Sequence, residues 1–135
     1  MFSESEYQKM IKDRNSTNAF AAKLGISITE MSEGHAVTEM DVDPSDLNPI
    51  GSVHGGCLYT MADVACGAAV FSYGDKITTL NCSFNYMRPG LHTTHLKAIG
   101  KVAKHGKHVS VVDVLIEDQD GKILSSGTFT FMTLS

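Results

Sequence analysis

A chain of 135 residues suffices for one domain with a real core, since a domain of about 150 residues buries roughly two-thirds of the surface its unfolded chain exposes. Its 11 basic and 15 acidic residues leave a net charge of -4 with no basic block, so the electrostatic footprint of a nucleic-acid binder is missing. Three cysteines (Cys57, Cys66 and Cys82) make no CxxC pair and no even-numbered framework, which leaves disulfides and structural zinc unsupported and predicts reduced thiols.

One domain over 1–135 is expected, with an N-terminal helical segment over 1–24. The opening MFSESEYQKMIKDRN has neither the apolar stretch of a signal peptide nor a cleavage-site pattern, and the weakly charged run 47–74 is broken by Pro49, five glycines and Asp63. No membrane segment is predicted, and the expected location is the cytoplasm.

From Ser5 to Lys23, Tyr7, Met10, Ile11, Phe20 and Leu24 recur among charges and alanines, a loosely amphipathic pattern that predicts a helix ending near Gly25. Residues 25–28 and 36–42 flank the turn Ser32-Glu33-Gly34 and read as a pair of strands. A loop is expected from Asp41 to Pro49. After His54, Leu58, Met61, Ala62, Ala65 and Ala69 recur at three- and four-residue spacing, predicting a helix thin enough to lie close against a sheet and stopped near Gly74. In Ile77 to Met87, Leu80, Cys82, Phe84 and Tyr86 alternate with polar residues, the period of a half-buried strand, closed by Arg88-Pro89-Gly90. Three more strands are expected at about 93–104, 107–118 and 122–133, joined through 104–107 and through 119–122, where Asp120-Gly121 between apolar runs signals a hairpin. These extended runs predict an antiparallel meander. Helix, two strands, long buried helix and four strands together call for an α+β domain whose sheet curls around the central helix.

Between Asp46 and Asp75 the only charged residue of Asp, Glu, Lys or Arg type is Asp63. A lone carboxylate in a buried helix is costly unless it is hydrogen-bonded or used. It lies seven residues after Gly56, about two turns above the helix start on a similar face. The N–H groups of that helix start, unobstructed by side chains at Gly55 and Gly56, suit an oxygen that becomes negative during acyl transfer, and a carboxylate nearby can activate water. The same residues also allow a purely structural use: glycines for a tight turn, and an aspartate bonded to neighbouring backbone.

The segments Asn48-Pro49-Ile50-Gly51-Ser52-Val53-His54-Gly55-Gly56, Ala62-Asp63 and Asn85-Tyr86-Met87-Arg88-Pro89-Gly90 resemble the hotdog-fold acyl-CoA thioesterases of the phenylacetate-pathway PaaI type. The resemblance covers most of the chain, and N-x-x-G-x-x-HGG followed by Asp at that spacing is far more specific than HGG alone. It implies a sheet wrapped around the helix from Gly55, protomers paired through a continuous sheet, and active sites shared between them in a homodimer, with a homotetramer expected from the family.

In that reading one protomer supplies Asn48, His54 and Gly55 and the other supplies Asp63. The Gly55 N–H holds the thioester oxygen, and Asp63 serves as general base or as nucleophile. Asn48 orients the water or the carboxylate, and His54 holds the turn or assists the leaving thiolate. Burial is expected to raise the Asp63 pKa. A hydroxyl used by related enzymes one helical turn after the carboxylate has no counterpart here, where Gly67 stands; Thr79 matches an alternative position. For coenzyme A the substrate-binding candidates are Gly56, Arg88, Lys104, Gly106, Lys107 and His108. No cofactor is implied beyond the acyl-CoA substrate, and no metal. Met61, Phe71, Phe84 and Tyr86 suit an aromatic or a medium-chain acyl group equally.

Competing readings are weaker. Cys57 follows the HGG turn at a helix start, where a thiol pKa can fall, so a Cys-His nucleophile is one alternative. His92 with His95, or His105 with His108, lacks a third metal ligand. A hotdog dehydratase or hydratase uses another acid and base pairing. A non-catalytic acyl-CoA sensor usually carries a DNA-binding domain, for which 135 residues leave no room.

Overall fold

The computed structural model describes residues 1–135. Helix α1 (Glu4–Thr17) starts at a capping box in which the Ser3 hydroxyl accepts from the Glu6 N–H and the Glu6 carboxylate accepts from the Ser3 N–H. It buries Tyr7 and Ile11, one turn apart. The predicted single helix to Lys23 is instead two. Asn18 interrupts it, and its side-chain oxygen accepts from the Ala21 N–H to cap a short α2 (Ala19–Lys23), because an Asn amide competes for backbone donors better than it continues a helix.

Strands β1 (Ser27–Ser32) and β2 (His35–Asp41) form a hairpin around Glu33-Gly34, with Gly34 at φ 73°. The first strand is longer than predicted: it takes in Ser32 and leaves a two-residue turn. The expected loop 41–49 contains a 3-10 turn, Pro44–Asp46, locked by reciprocal bonds between Asp43 and Asp46. Helix α3 (Gly55–Phe71) follows, and Gly74 at φ 92° turns the chain out of it. Strands β3 (Ile77–Tyr86), β4 (His95–His105), β5 (Val109–Asp118) and β6 (Ile123–Thr133) complete one antiparallel sheet in the order β1-β2-β4-β5-β6-β3.

The meander is therefore confined to β4, β5 and β6, a correction to the predicted run of four. β3 pairs with β6 at the far edge, because α3 carries the chain across the sheet face and the segment from Met87 to Thr94 must carry it back. That return starts over β6, where the N–H groups of Met87 and Arg88 both reach the Leu124 carbonyl.

Helix α3 touches every strand, which is the geometry of a sheet wrapped around a helix, the predicted α+β hotdog arrangement. Met61, Ala62, Ala65, Cys66, Ala69 and Val70 are completely buried against inward residues such as Leu96, Ile116, Phe129 and Phe131. At the closest approach a side chain is missing from the strand: a Cβ at Gly100 of β4 would stand 3.1 Å from the carbonyl carbon and oxygen of Ala65. Replacing Gly100 with Val should therefore force the helix off the sheet despite the better strand propensity. The expected loss is about 1–3 kcal/mol in a urea unfolding series; an unchanged midpoint would show that the close approach is not needed.

Candidate active site

The site is built on the connection from β2 to α3. Asn48 closes a small loop on itself: its side-chain oxygen accepts from the N–H groups of Ile50 (3.1 Å) and Ser52 (3.0 Å), and its amide nitrogen donates to the Ser52 hydroxyl at 2.7 Å. Gly51, at φ 84°, makes the turn possible. The loop is fastened to the returning segment by Val53 N–H to the Gly90 carbonyl and by a bridge between Ser52 and Leu91.

His54 then caps α3. Its Nδ1 accepts from the Gly56 N–H at 2.8 Å while its own N–H donates to the Asp46 carbonyl at 2.8 Å. With the Gly56 donor engaged, the N–H of Gly55 has no acceptor in the chain, and the positive end of the helix dipole lies behind it. Gly55 is also where Tyr86 lies closest. The phenol donates to the Gly55 carbonyl at 3.0 Å, and a Cβ there would stand 3.1 Å from the ring.

Asp63 stands on the outer, half-buried side of α3. The Thr79 hydroxyl donates to its Oδ1 at 2.7 Å, and the register shift between Thr79 and Asn81 lies next to that contact. Burial raises the carboxyl above the usual aspartate range, against the hydrogen bond from Thr79 and the charge of Arg14, which both lower it. Arg14 was missed by the sequence reading, because nothing in the sequence relates a helical arginine at position 14 to an aspartate 49 residues later.

Within one chain, Asn48 and Gly55 do not meet Asp63. They line a cleft of about 320 Å³ together with Val53, Arg88 and Gly90. Asp63 lines another, of about 560 Å³, with Gly56, Thr60 and the aromatic walls Phe20, Tyr59 and Tyr86. Tyr86 borders both. Tyr59 is a neutral wall, its phenol pushed up to about 12 chiefly by its contact with the Cys82 thiol.

The other candidates separate. Arg88 flanks the Gly55 cleft, whereas Lys104 stands near the end of β4 and Gly106, Lys107 and His108 form the turn between β4 and β5. That turn lies by the opposite end of α3, where His105 stacks on Tyr73 at 3.7 Å and bonds Asp75 at 2.6 Å. Gly106 has a local reason to be glycine, since a Cβ would collide with the Val109 carbonyl oxygen. Met61 is completely buried and lines neither cleft. Cys57 is buried, and its thiol is pushed up by that burial and then by Asp46, the reverse of what a nucleophile needs. His95 rests between Asp41 (2.7 Å) and Glu39 (2.9 Å).

A helix start with a free N–H, a hydroxyl-bonded carboxylate on the same helix, and a sheet curled around both now stand beside the comparisons with known proteins. The thioesterase superfamily model matches residues 50–125. The chain belongs to that superfamily. It is 37% identical over 108 residues to the acyl-coenzyme A thioesterase PaaI of Escherichia coli, covering 80% of this chain and 77% of that one. It is 26% identical over 127 residues to human acyl-coenzyme A thioesterase 13, covering 91% of each. The structure of E. coli PaaI superposes with a TM-score of 0.91 at 31% identity over 98% of this chain and 97% of that chain. The expected class, a PaaI-like thioester hydrolase of the hotdog fold, agrees with superfamily and fold alike. No helix of this superfamily member is long and apolar enough to cross a membrane.

A carboxyl whose folded pKa is raised contributes most to stability below its unfolded pKa and loses that contribution as pH rises through the folded value. Asp63→Asn, which keeps an acceptor for Thr79, should therefore melt at or above the wild-type temperature at pH 7 to 8, with the gap closing toward pH 4. A variant that melts lower at neutral pH would show that the charged form is favoured by folding.

Proposed function

We propose that this superfamily member hydrolyses an acyl-CoA to the free acid and coenzyme A in an active site completed between two protomers. The observation that carries the reading is the division of the machinery: an unpartnered Gly55 N–H in one cleft, and Asp63 with its Thr79 bond in another. Strand β3, the free edge of the sheet beyond β6, offers a route to a continuous sheet across a dimer, and it carries exposed Leu80 and Tyr86. Such pairing sets the Asp63 cleft of one protomer against the Gly55 cleft of the other. A homotetramer built from two dimers is the expected larger assembly.

The thioester oxygen takes the Gly55 N–H, whose effect on developing negative charge is strengthened by the helix dipole. Asp63 removes a proton from water, the hydroxide adds to the carbonyl carbon, and collapse of the tetrahedral intermediate breaks the C–S bond. The departing thiolate recovers the proton from Asp63. Direct attack by Asp63 on the carbonyl carbon gives an anhydride that water hydrolyses to the same products. The raised pKa suits the first route, since a stronger base is a better proton acceptor. Asn48, with one amide hydrogen left after its loop bonds, is the candidate for orienting the water. Arg88 beside the Gly55 cleft, and Lys104, Lys107 and His108 at the β4–β5 turn, are the candidates for the phosphates of coenzyme A. Phe20, Tyr59 and Tyr86 around the Asp63 cleft fit an aryl or a medium-chain acyl group.

Thiol release measured across aryl, short, medium and long acyl-CoAs should reveal turnover that Asp63→Ala lowers by about a hundredfold or more with the oligomer intact; wild-type rates in that variant would overturn the assignment. Mixing Asn48→Ala with Asp63→Ala protomers should restore part of the activity through hybrid dimers carrying one intact site. Absence of recovery after subunit exchange has been verified would count against a shared site.

A further inference from the structure

Arg14 is the cation nearest the chemistry, and no established part of the site uses it. Its place is fixed from two sides. The neighbouring Asn15 side chain accepts from the Ile28 N–H at 2.8 Å and donates to the Ile28 carbonyl at 3.0 Å, which pins the last turn of α1 to β1. The Arg14 guanidinium lies over the ring of Phe71, 4.4 Å from its centre. Phe71 and Val64 are two turns apart on α3, on the same face. Val64 and Asn18 border both the small cavity that Arg14 lines and the Asp63 cleft, so Arg14 lies in the cavity adjoining that cleft. It forms no ion pair with any carboxylate within 4.0 Å. A cation laid on an aromatic face and partly desolvated, without a contact partner, acts on its surroundings through its field.

We propose that Arg14 is a positioning residue for the reaction, the counter-charge that keeps the Asp63 carboxylate ionised while Thr79 orients it. The inference rests on Asp63 being the reactive carboxylate. The titratable groups around Asp63 are Tyr59 and Cys66 on its own helix, Tyr86 and Cys82 on β3, and Arg14 on α1; α2 contributes Asn18 and Phe20 to the cleft and no charge. The phenols and thiols offer no positive charge, so Arg14 is the one group that opposes the desolvation of Asp63 electrostatically. The mutual effect has the expected signs: burial lowers the Arg14 pKa and the charge of Asp63 raises it. An arginine suits this place better than lysine, because its weakly hydrated plane stacks on Phe71 and stays charged when partly buried. A consequence is that α1, outside the sheet and helix that form the hotdog core, takes part in setting the pH range of the enzyme.

The test is the pH profile of kcat/KM for the full-length protein with its best acyl-CoA. Removing the cation in Arg14→Gln disfavours ionised Asp63, so the acid limb should move to higher pH, with a loss on the order of tenfold on the acid side that shrinks as pH rises. Arg14→Lys should bring the limb back toward wild type, and Phe71→Leu, which removes only the ring beneath the guanidinium, should move it in the same direction as Arg14→Gln but less. A direct reading is the carboxyl carbon resonance of Asp63, whose titration midpoint should rise in Arg14→Gln. An acid limb and a carboxyl titration both unmoved, or activity lost equally at all pH values with the limb in place, would overturn the proposal. If Asp63→Ala proves fully active, the reading of the site fails, and the carboxyl resonance still decides whether Arg14 and Asp63 are coupled.

Discussion

The rest of the structure depends on how closely α3 lies against the sheet. The inner face of the helix is thin around Ala65 and Cys66, and the strand that crosses it at the nearest point has given up its side chain at Gly100. With little between them but backbone, the strands can bend around the helix and touch it from every side. Dense contact of this kind holds the helix start and the outer face in fixed relation. The two halves of the proposed site stand at those places: Gly55 at the first turn and Asp63 two turns on.

That arrangement has an energetic side. A helix N-terminus leaves donors unpaired, and here the His54 ring takes one of them while the Gly55 N–H keeps its direction open. Asp63 is partly desolvated, which raises its pKa and lowers the stability of the charged form, yet Thr79 and Arg14 limit the rise. A carboxyl left wholly unsupported in such surroundings would hold its proton at neutral pH and serve poorly as a base.

Tyr86 joins the two halves. Its hydroxyl bonds the Gly55 carbonyl, its ring borders both clefts, and it sits at the end of the sheet's free edge strand. Displacement of this side chain changes the mouth of either cleft, so the shape of the Asp63 cleft and the exposure of the helix start are coupled through one residue. The β4–β5 turn with its basic residues lies at the other end of α3.

The sequence by itself determined the pieces whose signals are local. Alternation of apolar and polar residues marked β3, extended runs between turn signals marked β4 to β6, Asp120-Gly121 marked a hairpin, the three- and four-residue spacing after His54 marked α3, and the HGG turn with one isolated aspartate marked the superfamily. Residue type at short spacing fixes backbone preference and is readable without knowing what lies across the fold. What only the tertiary structure decided is what meets what. It placed β3 beside β6 instead of β4 and brought Arg14 to a cavity adjoining the Asp63 cleft. Each of these depends on contacts between residues far apart in the chain, whose energies come from burial and packing in three dimensions and leave no period or motif in the sequence.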